Sequence, residues 1–298
     1  MAEKDISEKL LEDYNDVFAD IYNTLLFEKP FIEEAQLENG PTTSIYKKGN
    51  GKEAEQIRDV MKNYKENSLC ICSLGIENQT GVDHTMPVRV MGYDYGSYRT
   101  MLKNNSTITP VTTIVLNFGD KCWSSAKSLH EMMQLPEDLK PYVENYKIRV
   151  YDIAFLSDNI INKFRSDFKV VAKFFKQRRL GRTEFMTEDD TPIKHVEAVS
   201  HFLSIFTKDE RYRSVYTECI KPLEEKGESI SMCHMLQYHI DKAMEKGLSQ
   251  GLSQGLKVII GTLKPYIPNV EDLHKVIIQN EIYADVTREQ VQELYEEE

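Results

Sequence analysis

An apolar segment that ends in a Glu-x-Gln triplet constrains the fold of this chain more than any other feature. Residues 69–76 read Leu-Cys-Ile-Cys-Ser-Leu-Gly-Ile, and Glu77, Asn78 and Gln79 follow directly. Because the segment is apolar on both faces, it predicts an internal strand of a sheet. Side chains two residues apart on a strand project from the same face. The sequence therefore predicts a carboxylate and an amide presented together at the end of a buried strand.

Composition limits the class of protein. The 298 residues are enough to bury a large core, and 41% hydrophobic and 29% charged residues are ordinary for a water-soluble globular protein. A net charge of −11 argues against a general electrostatic grip on nucleic acid, although it leaves room for a local basic groove. The five cysteines lack paired spacing, and the N-terminus lacks an apolar signal region. These features predict a cytoplasmic protein without a membrane partner.

The order of predicted elements indicates a mixed α/β domain over residues 1–158. Apolar spacing predicts an opening helix from Ile6 to Leu26, a loop or short hairpin over 40–51, a helix over 53–64 and a helix starting near Pro87, with further strands over 111–118 and 147–155. The side chains expected to be buried on the helix after Pro87 are Val88, Met91, Tyr95, Tyr98 and Leu102.

The remainder of the chain is predicted to be helical, in three parts. A helical region covers 159–245, a glycine-repeat helix covers 246–261, and a small acidic tail with two short helices covers 262–298. The first part carries seven basic residues from Lys163 to Arg179 against one acid, Asp167. This run is a candidate for contacting a DNA backbone, and a merely solvated face is the alternative.

The glycine repeat points to an interaction between helices. Gly247, Gly251 and Gly255 recur once per turn, and each glycine inside a helix costs about 1 kcal/mol relative to alanine. Close approach of a partner helix would offset that cost, since small residues four apart permit it. The repeat therefore predicts self-association into a homo-oligomer, with a flexible tether as the alternative.

The Glu-x-Gln strand and an upstream acid, Asp59, suit metal-dependent hydrolysis of a phosphodiester. Such hydrolysis uses a divalent ion to polarise the phosphate and to lower the pKa of the attacking water. Magnesium prefers oxygen ligands and usually takes one or two carboxylates. Asp59 and Glu77 would supply that pair, the main-chain carbonyl of Asn78 a third ligand, and Gln79 would orient the water. In the alternative interpretation, Glu77 and Gln79 are polar residues that close a strand.

Two stretches of the sequence resemble a known family. Residues 74–80, Leu-Gly-Ile-Glu-Asn-Gln-Thr, and residues 86–94, Met-Pro-Val-Arg-Val-Met-Gly-Tyr-Asp, are similar to the bacterial recombination-promoting nuclease (Rpn) family, whose members are also described as transposases. The resemblance extends through residues 110–119 and reaches the glycine repeat. It implies a restriction-endonuclease-like fold of the PD-(D/E)XK superfamily, a mixed central sheet flanked by helices, and DNA cleavage with Mg²⁺ or Mn²⁺ in recombination. Gln79 stands where such nucleases usually have lysine.

The resemblance also assigns site residues. The positions that match the family pattern are Asp5, Asp59, Glu77, Gln79, Arg89 and Tyr93. Arg89 and Tyr93, one helical turn apart, are expected to hold a phosphate and brace Glu77, and an arginine stem lying over the sheet beside a half-buried tyrosine is the alternative. In the family, the acid that matches Asp59 lies on a strand. Here the predicted helix over 53–64 would instead place Asp59 and Glu55 on one helix face, so Glu55 is a further candidate.

Two other functions stay open from the sequence. The first is a catalytically inactive protein with a nuclease fold that acts through the glycine-repeat helix. The second is a nuclease that acts on RNA.

Overall fold

The protein is described by a computed structural model over residues 11–47, 53–181, 190–207 and 210–297. Asp5 lies outside these residues. A five-stranded mixed sheet forms the centre of a mixed α/β domain, with the strand order β1–β4–β5–β6–β7. Its strands are β1 (Leu37–Asn39), β4 (Val60–Glu66), β5 (Leu69–Gln79), β6 (Val111–Asn117) and β7 (Arg149–Asp152), and a separate hairpin pairs β2 (Thr43–Lys47) with β3 (Glu53–Ile57).

Strand β5 lies inside the sheet, as its apolar sequence predicts. It pairs antiparallel with β4 and parallel with β6, and β6 pairs parallel with β7. The last residues of the three parallel strands stand in register, Gln79 beside Asn117 and Asn117 beside Asp152. The ends of these strands therefore meet along one side of the sheet, which we call the carboxyl edge.

Helices account for most of the remaining structure. The α-helices are α1 (Asn15–Tyr22), α2 (Met86–Lys103), α3 (Leu129–Met132), α4 (Asp158–Ile161), α5 (Phe168–Arg179), α6 (Val196–Thr207), α7 (Arg211–Val215), α8 (Lys221–Glu225), α9 (Met232–Leu263), α10 (Val270–Ile277) and α11 (Arg288–Glu297). Leu11 and Glu12 are also helical, and a break at 13–14 separates them from α1. Shorter 3-10 or π turns cover Asn23–Phe27, Glu34–Gln36, Glu137–Tyr142, Ile153–Phe155, Tyr216–Ile220 and Glu281–Tyr283.

The helix predicted over 53–64 is wrong, because this stretch forms β3 and β4. Val60, Met61 and Tyr64 are buried where β4 pairs with β5. Their spacing fits one helix face, but long-range pairing with β5 decides the structure. The hairpin predicted over 40–51 agrees with the pairing of β2 and β3, although residues 48–52 lie outside the described part of the chain.

Helix α2 begins beside Pro87 as predicted, but it buries a different face. Its buried residues are Met86, Pro87, Val90, Tyr93 and Asp94. The predicted set is wrong, since Val88, Met91, Tyr95 and Leu102 are exposed and Tyr98 is half-buried. Asp94 faces inward because it pairs with the buried Arg58 of the sheet at 3.0 Å. The core cluster around this helix joins Met86, Val90 and Tyr93 to Val115, Trp123 and Ile148.

The chain divides into two compact units, Met1–Leu236 and Gln237–Glu298. The second unit has its own core, made of Leu256, Ile260, Leu273, Ile277, Tyr283 and Val291. The glycine repeat is helical, as predicted, within α9. Its glycines differ: a methyl group at Gly255 would collide with the Tyr283 hydroxyl, whereas one at Gly247 or Gly251 meets no described atom within 4 Å. Gly255 therefore serves packing inside this unit.

Among the described residues, no helix combines the length and the apolar character that crossing a membrane requires.

Candidate functional site

Glu77 lies at the end of β5 and is completely buried. Its Oε1 accepts a hydrogen bond from Gln79 Nε2 at 3.0 Å and forms an ion pair with Arg89 Nη2 at 2.6 Å. Its Oε2 has no hydrogen-bond partner within the described part of the chain. The strand thus brings Glu77 and Gln79 together on one face, and a hydrogen bond with the Tyr93 hydroxyl lowers the pKa of the Glu77 carboxyl.

Asp59 occupies the bend between β3 and β4, not a helix. Because β4 runs antiparallel to β5, the start of β4 lies beside the end of β5, where Val60 pairs with Ile76. Asp59 Oδ2 accepts a hydrogen bond from the main-chain N–H of Asn78 at 2.7 Å. Asp59 is therefore directly beside the Glu-x-Gln triplet. Glu55 pairs with Ile45 in the hairpin, and its side chain lies outside the described residues.

Sequence reasoning missed Glu12, a further buried acid, which contacts the side chain of Asn78 in the middle of the Glu-x-Gln triplet. It is 2% exposed, and its Oε2 accepts a hydrogen bond from Asn78 Nδ2 at 2.7 Å. Its Oε1 has no partner among the residues that the structure describes. Lys62 fixes the neighbouring turn, since its Nζ donates to the carbonyl of Asp13 at 2.5 Å and to Asn39 Oδ1 at 2.6 Å. No local pattern marks Glu12, because the helix breaks directly after it.

Burial and neighbouring charge raise the pKa of two of these acids. Burial, and after it the charge of Asp59, raise the pKa of Glu77 to about 8, and Arg89 opposes both effects. Burial also raises the pKa of Glu12 well above its usual range, against a hydrogen bond from Asn78 that lowers it. Ionised carboxylates at these positions lack sufficient compensation within the described chain. The site accordingly favours an added positive charge, a proton or a cation.

Arg89 and Tyr93 stand beside Glu77 on the first turns of α2. Arg89 Nε donates to the Tyr93 hydroxyl at 2.8 Å, and its Nη1 lies 3.5 Å from Asp83 Oδ2. The Arg89 side chain is 36% exposed, so one face of the guanidinium reaches solvent. Arg89 thus contacts Glu77 directly, whereas its role in bracing Glu77 and its contact with a phosphate stay predictions.

A buried ion pair ties the Asp59 bend to α2. Arg58 is 1% exposed and passes over Gly75, where a methyl group would lie 2.5 Å from Arg58 Cδ. Its partner Asp94 also accepts hydrogen bonds from Thr113 Oγ1 at 2.9 Å and from the Tyr146 hydroxyl at 2.5 Å. The element with Asp59 and the helix with Arg89 are therefore linked through the core.

The fit to a metal ion rests on oxygen atoms. Within the described ranges, no three or more His, Cys, Asp or Glu side chains are grouped so that they could hold a metal ion. Magnesium usually needs only one or two carboxylates, with water completing its coordination. Glu77 and Asp59 are two carboxylates close to one another, and Glu77 Oε2 has no hydrogen-bond partner among the described residues, so these residues fit such an ion in number and in chemistry.

Comparisons with known proteins bear on the same elements. Searches of curated proteins and of solved structures found no match. A family model covers the region with β5 and α2, including Glu77, Gln79, Arg89 and Tyr93, whereas Glu12 and Asp59 precede it. Residues 64–199 match the family described as putative transposase, YhgA-like, which confirms the transposase resemblance predicted from the sequence.

Proposed function

We propose that this protein is a magnesium-dependent DNA endonuclease of the PD-(D/E)XK type that acts in transposition or recombination. The observation that carries the proposal is the buried Glu77 at the end of β5, whose Oε2 has no hydrogen-bond partner among the described residues and whose neighbour Asn78 donates its main-chain N–H to Asp59. Manganese is the alternative ion. The family description supports a role in moving DNA.

The sheet agrees with this type of enzyme. Three antiparallel strands in the order β1, β4, β5 are followed by α2 and then by β6, which runs parallel to β5. A restriction-endonuclease-like core has the same succession of strands and helix, as the family resemblance implies. The proposed ligands fall at the end of its central strand, where α/β sheets commonly bind ligands.

Each side chain has a proposed role. Glu77 and Asp59 would hold the ion, with the Asn78 carbonyl as a further ligand, and Glu12 would position Asn78 through its side-chain amide. A bound Mg²⁺ polarises the phosphate and lowers the pKa of a water molecule. Gln79 orients the attacking water. Arg89 supplies the positive charge that a lysine gives in related sites, and it stabilises charge developing on the phosphate.

The direct test is cleavage of supercoiled plasmid DNA by purified protein with MgCl₂. Glu77→Gln should abolish cleavage and the magnesium binding measured by calorimetry, because it removes the central carboxylate. Glu144→Gln, which changes an exposed glutamate, should leave both unchanged and serves as the control. Cleavage that survives Glu77→Gln would contradict the proposal.

A second function is an inactive nuclease-fold protein that acts by self-association. The observation that favours it is an exposed row on α9, in which Ile240, Met244 and Leu248 are 39%, 69% and 67% exposed, beside the open Gly247 and Gly251. A homo-oligomer is compatible with either function. Sedimentation measures the association, and the absence of Glu77-dependent magnesium binding would favour the inactive protein over the nuclease.

A further inference from the structure

A positively charged side chain follows each of the three parallel strands at the carboxyl edge. After β5, Arg89 is bound to Glu77. After β6, Lys121 is exposed, and its carbonyl accepts a hydrogen bond from the side chain of Asn117 at 2.9 Å. After β7, Arg179 is exposed and donates from Nε to the carbonyl of Ala154 at 2.9 Å.

These contacts place Arg89, the main chain of Lys121 and the guanidinium of Arg179 beside the ends of β5, β6 and β7, in that order across the sheet. The strand ends stand in register, and neighbouring strands are 4.7–4.9 Å apart, so about 10 Å separate the ends of β5 and β7. One DNA strand carries one phosphate per 3.4 Å of helix axis. The edge therefore spans about three phosphates, one for each cation.

Two contacts fix the side chain of Arg179 in a position from which it could bind a phosphate. Its guanidinium stacks over the ring of Phe155 at 4.4 Å, while the Ala154 carbonyl fixes its Nε. A guanidinium fixed in this way loses less side-chain entropy on binding a phosphate than a freely moving one. It lies at the end of α5, so the basic run predicted from the sequence reaches the edge through this residue.

Acidic residues at the same edge are largely engaged. Asp152 Oδ1 accepts hydrogen bonds from Asn117 Nδ2 and from the Trp123 main chain at 2.7 and 2.8 Å. Asp158 pairs with Lys176 at 2.8 Å. Asp120 is exposed and opposes the three cations. The chain as a whole has a net charge of −11, so the positive charge of Arg89, Lys121 and Arg179 is confined to this edge and does not reflect the overall composition.

We propose that Arg89, Lys121 and Arg179 bind successive phosphates of one DNA strand and so lead that strand to Glu77. This inference rests on the proposed function for the identity of the polymer. It adds Lys121 and Arg179, which lie 32 and 90 residues beyond Arg89 in sequence, to the proposed DNA-binding surface.

Binding is measured by fluorescence anisotropy with a fluorescein-labelled 20-base-pair DNA duplex in EDTA, over a series of KCl concentrations. The test variant combines Lys121→Met with Arg179→Met. The control combines Lys103→Met with Arg149→Met, which removes the same charge at the opposite ends of α2 and β7. The test variant should bind roughly tenfold more weakly at low salt, with a salt slope smaller by about 2, whereas the control keeps the slope.

Several results would overturn the proposal: no binding by the unmodified protein, a test variant that binds as tightly as it does, or an equal loss in the control. The single variant Lys121→Met tests whether a loss of binding results from misfolding. Because Lys121 is exposed, this variant should keep the core intact and lower the salt slope by about 1. Cleavage is a separate readout. If DNA binding depends on Lys121 and Arg179 but no magnesium-dependent cleavage is found, the proposed nuclease function is refuted, whereas the proposed binding of phosphates by these cations is supported.

Discussion

The stability of this protein should depend on the ionisation of Glu77. Burial and the charge of Asp59 raise the pKa of this carboxyl to about 8, from 4.5 for an ordinary glutamate. Between these two pH values the folded protein keeps a proton that the unfolded chain releases. Stability contributed by the protonated carboxyl is therefore complete below about pH 4.5 and is lost as the pH rises through 8.

The magnitude follows from the same two pKa values. One pKa unit corresponds to 1.36 kcal/mol, so the loss from this group between pH 5 and pH 9 is about 4 kcal/mol. Glu77→Gln keeps the shape of the side chain but cannot ionise. The free energy of unfolding of Glu77→Gln relative to the unmodified protein should therefore rise by about 4 kcal/mol over that pH range.

Urea unfolding at pH 5, 7 and 9 without divalent ions measures this difference. Glu144→Gln, at an exposed glutamate, is the matched control and should give a difference that does not change with pH. Parallel pH profiles for Glu77→Gln and the unmodified protein would refute the reasoning, because they would show that Glu77 ionises in the folded protein as easily as in water.

Three further predictions concern other parts of the structure. Gly75→Ala places a methyl group 2.5 Å from Arg58 Cδ, so urea unfolding should show a loss of about 3–5 kcal/mol as the buried ion pair is displaced. Gly81→Ala, with no described atom within 4 Å of the added carbon, should change stability by less than about 0.5 kcal/mol, and equal effects of the two would contradict the packing. Glu12→Gln should weaken magnesium binding in calorimetry by about tenfold, because Glu12 accepts a hydrogen bond from Asn78, whose carbonyl is a proposed ligand, and unchanged affinity would show that Glu12 does not support the site. Gly251→Ala should raise the thermal stability of α9 by about 1 kcal/mol and weaken self-association in sedimentation, and association unaffected by this change would argue against a glycine contact.

Strand β5 could be predicted because its evidence is local. Apolar residues on both faces specify an internal strand whatever its partners, and the same holds for β6. The position of Asp59 depends instead on how β4 pairs with β5, so helical spacing over 53–64 misleads. The resemblance to the transposase family could also be predicted from the residues of β5 and α2, since a short motif and the helix after it are contiguous in sequence.

The failures on α2 and at Glu12 have a common physical cause. In both places a polar side chain is buried because a distant residue satisfies it: Arg58 for Asp94, and Asn78 for Glu12. Apolar periodicity assigns such side chains to the solvent face. It therefore predicts Val88 and Met91 on the buried face of α2 and gives no signal for Glu12.

The single tryptophan provides an intrinsic fluorescence signal for this protein. Trp123 is 6% exposed, and its indole N–H has no partner among the described residues, so its emission should lie at short wavelength. It shares a core cluster with Val90 and Tyr93 of α2, the helix that also carries Arg89. Any ligand that draws Arg89 away from Glu77 and shifts this helix should change the fluorescence, so binding at the acids can be followed without a label.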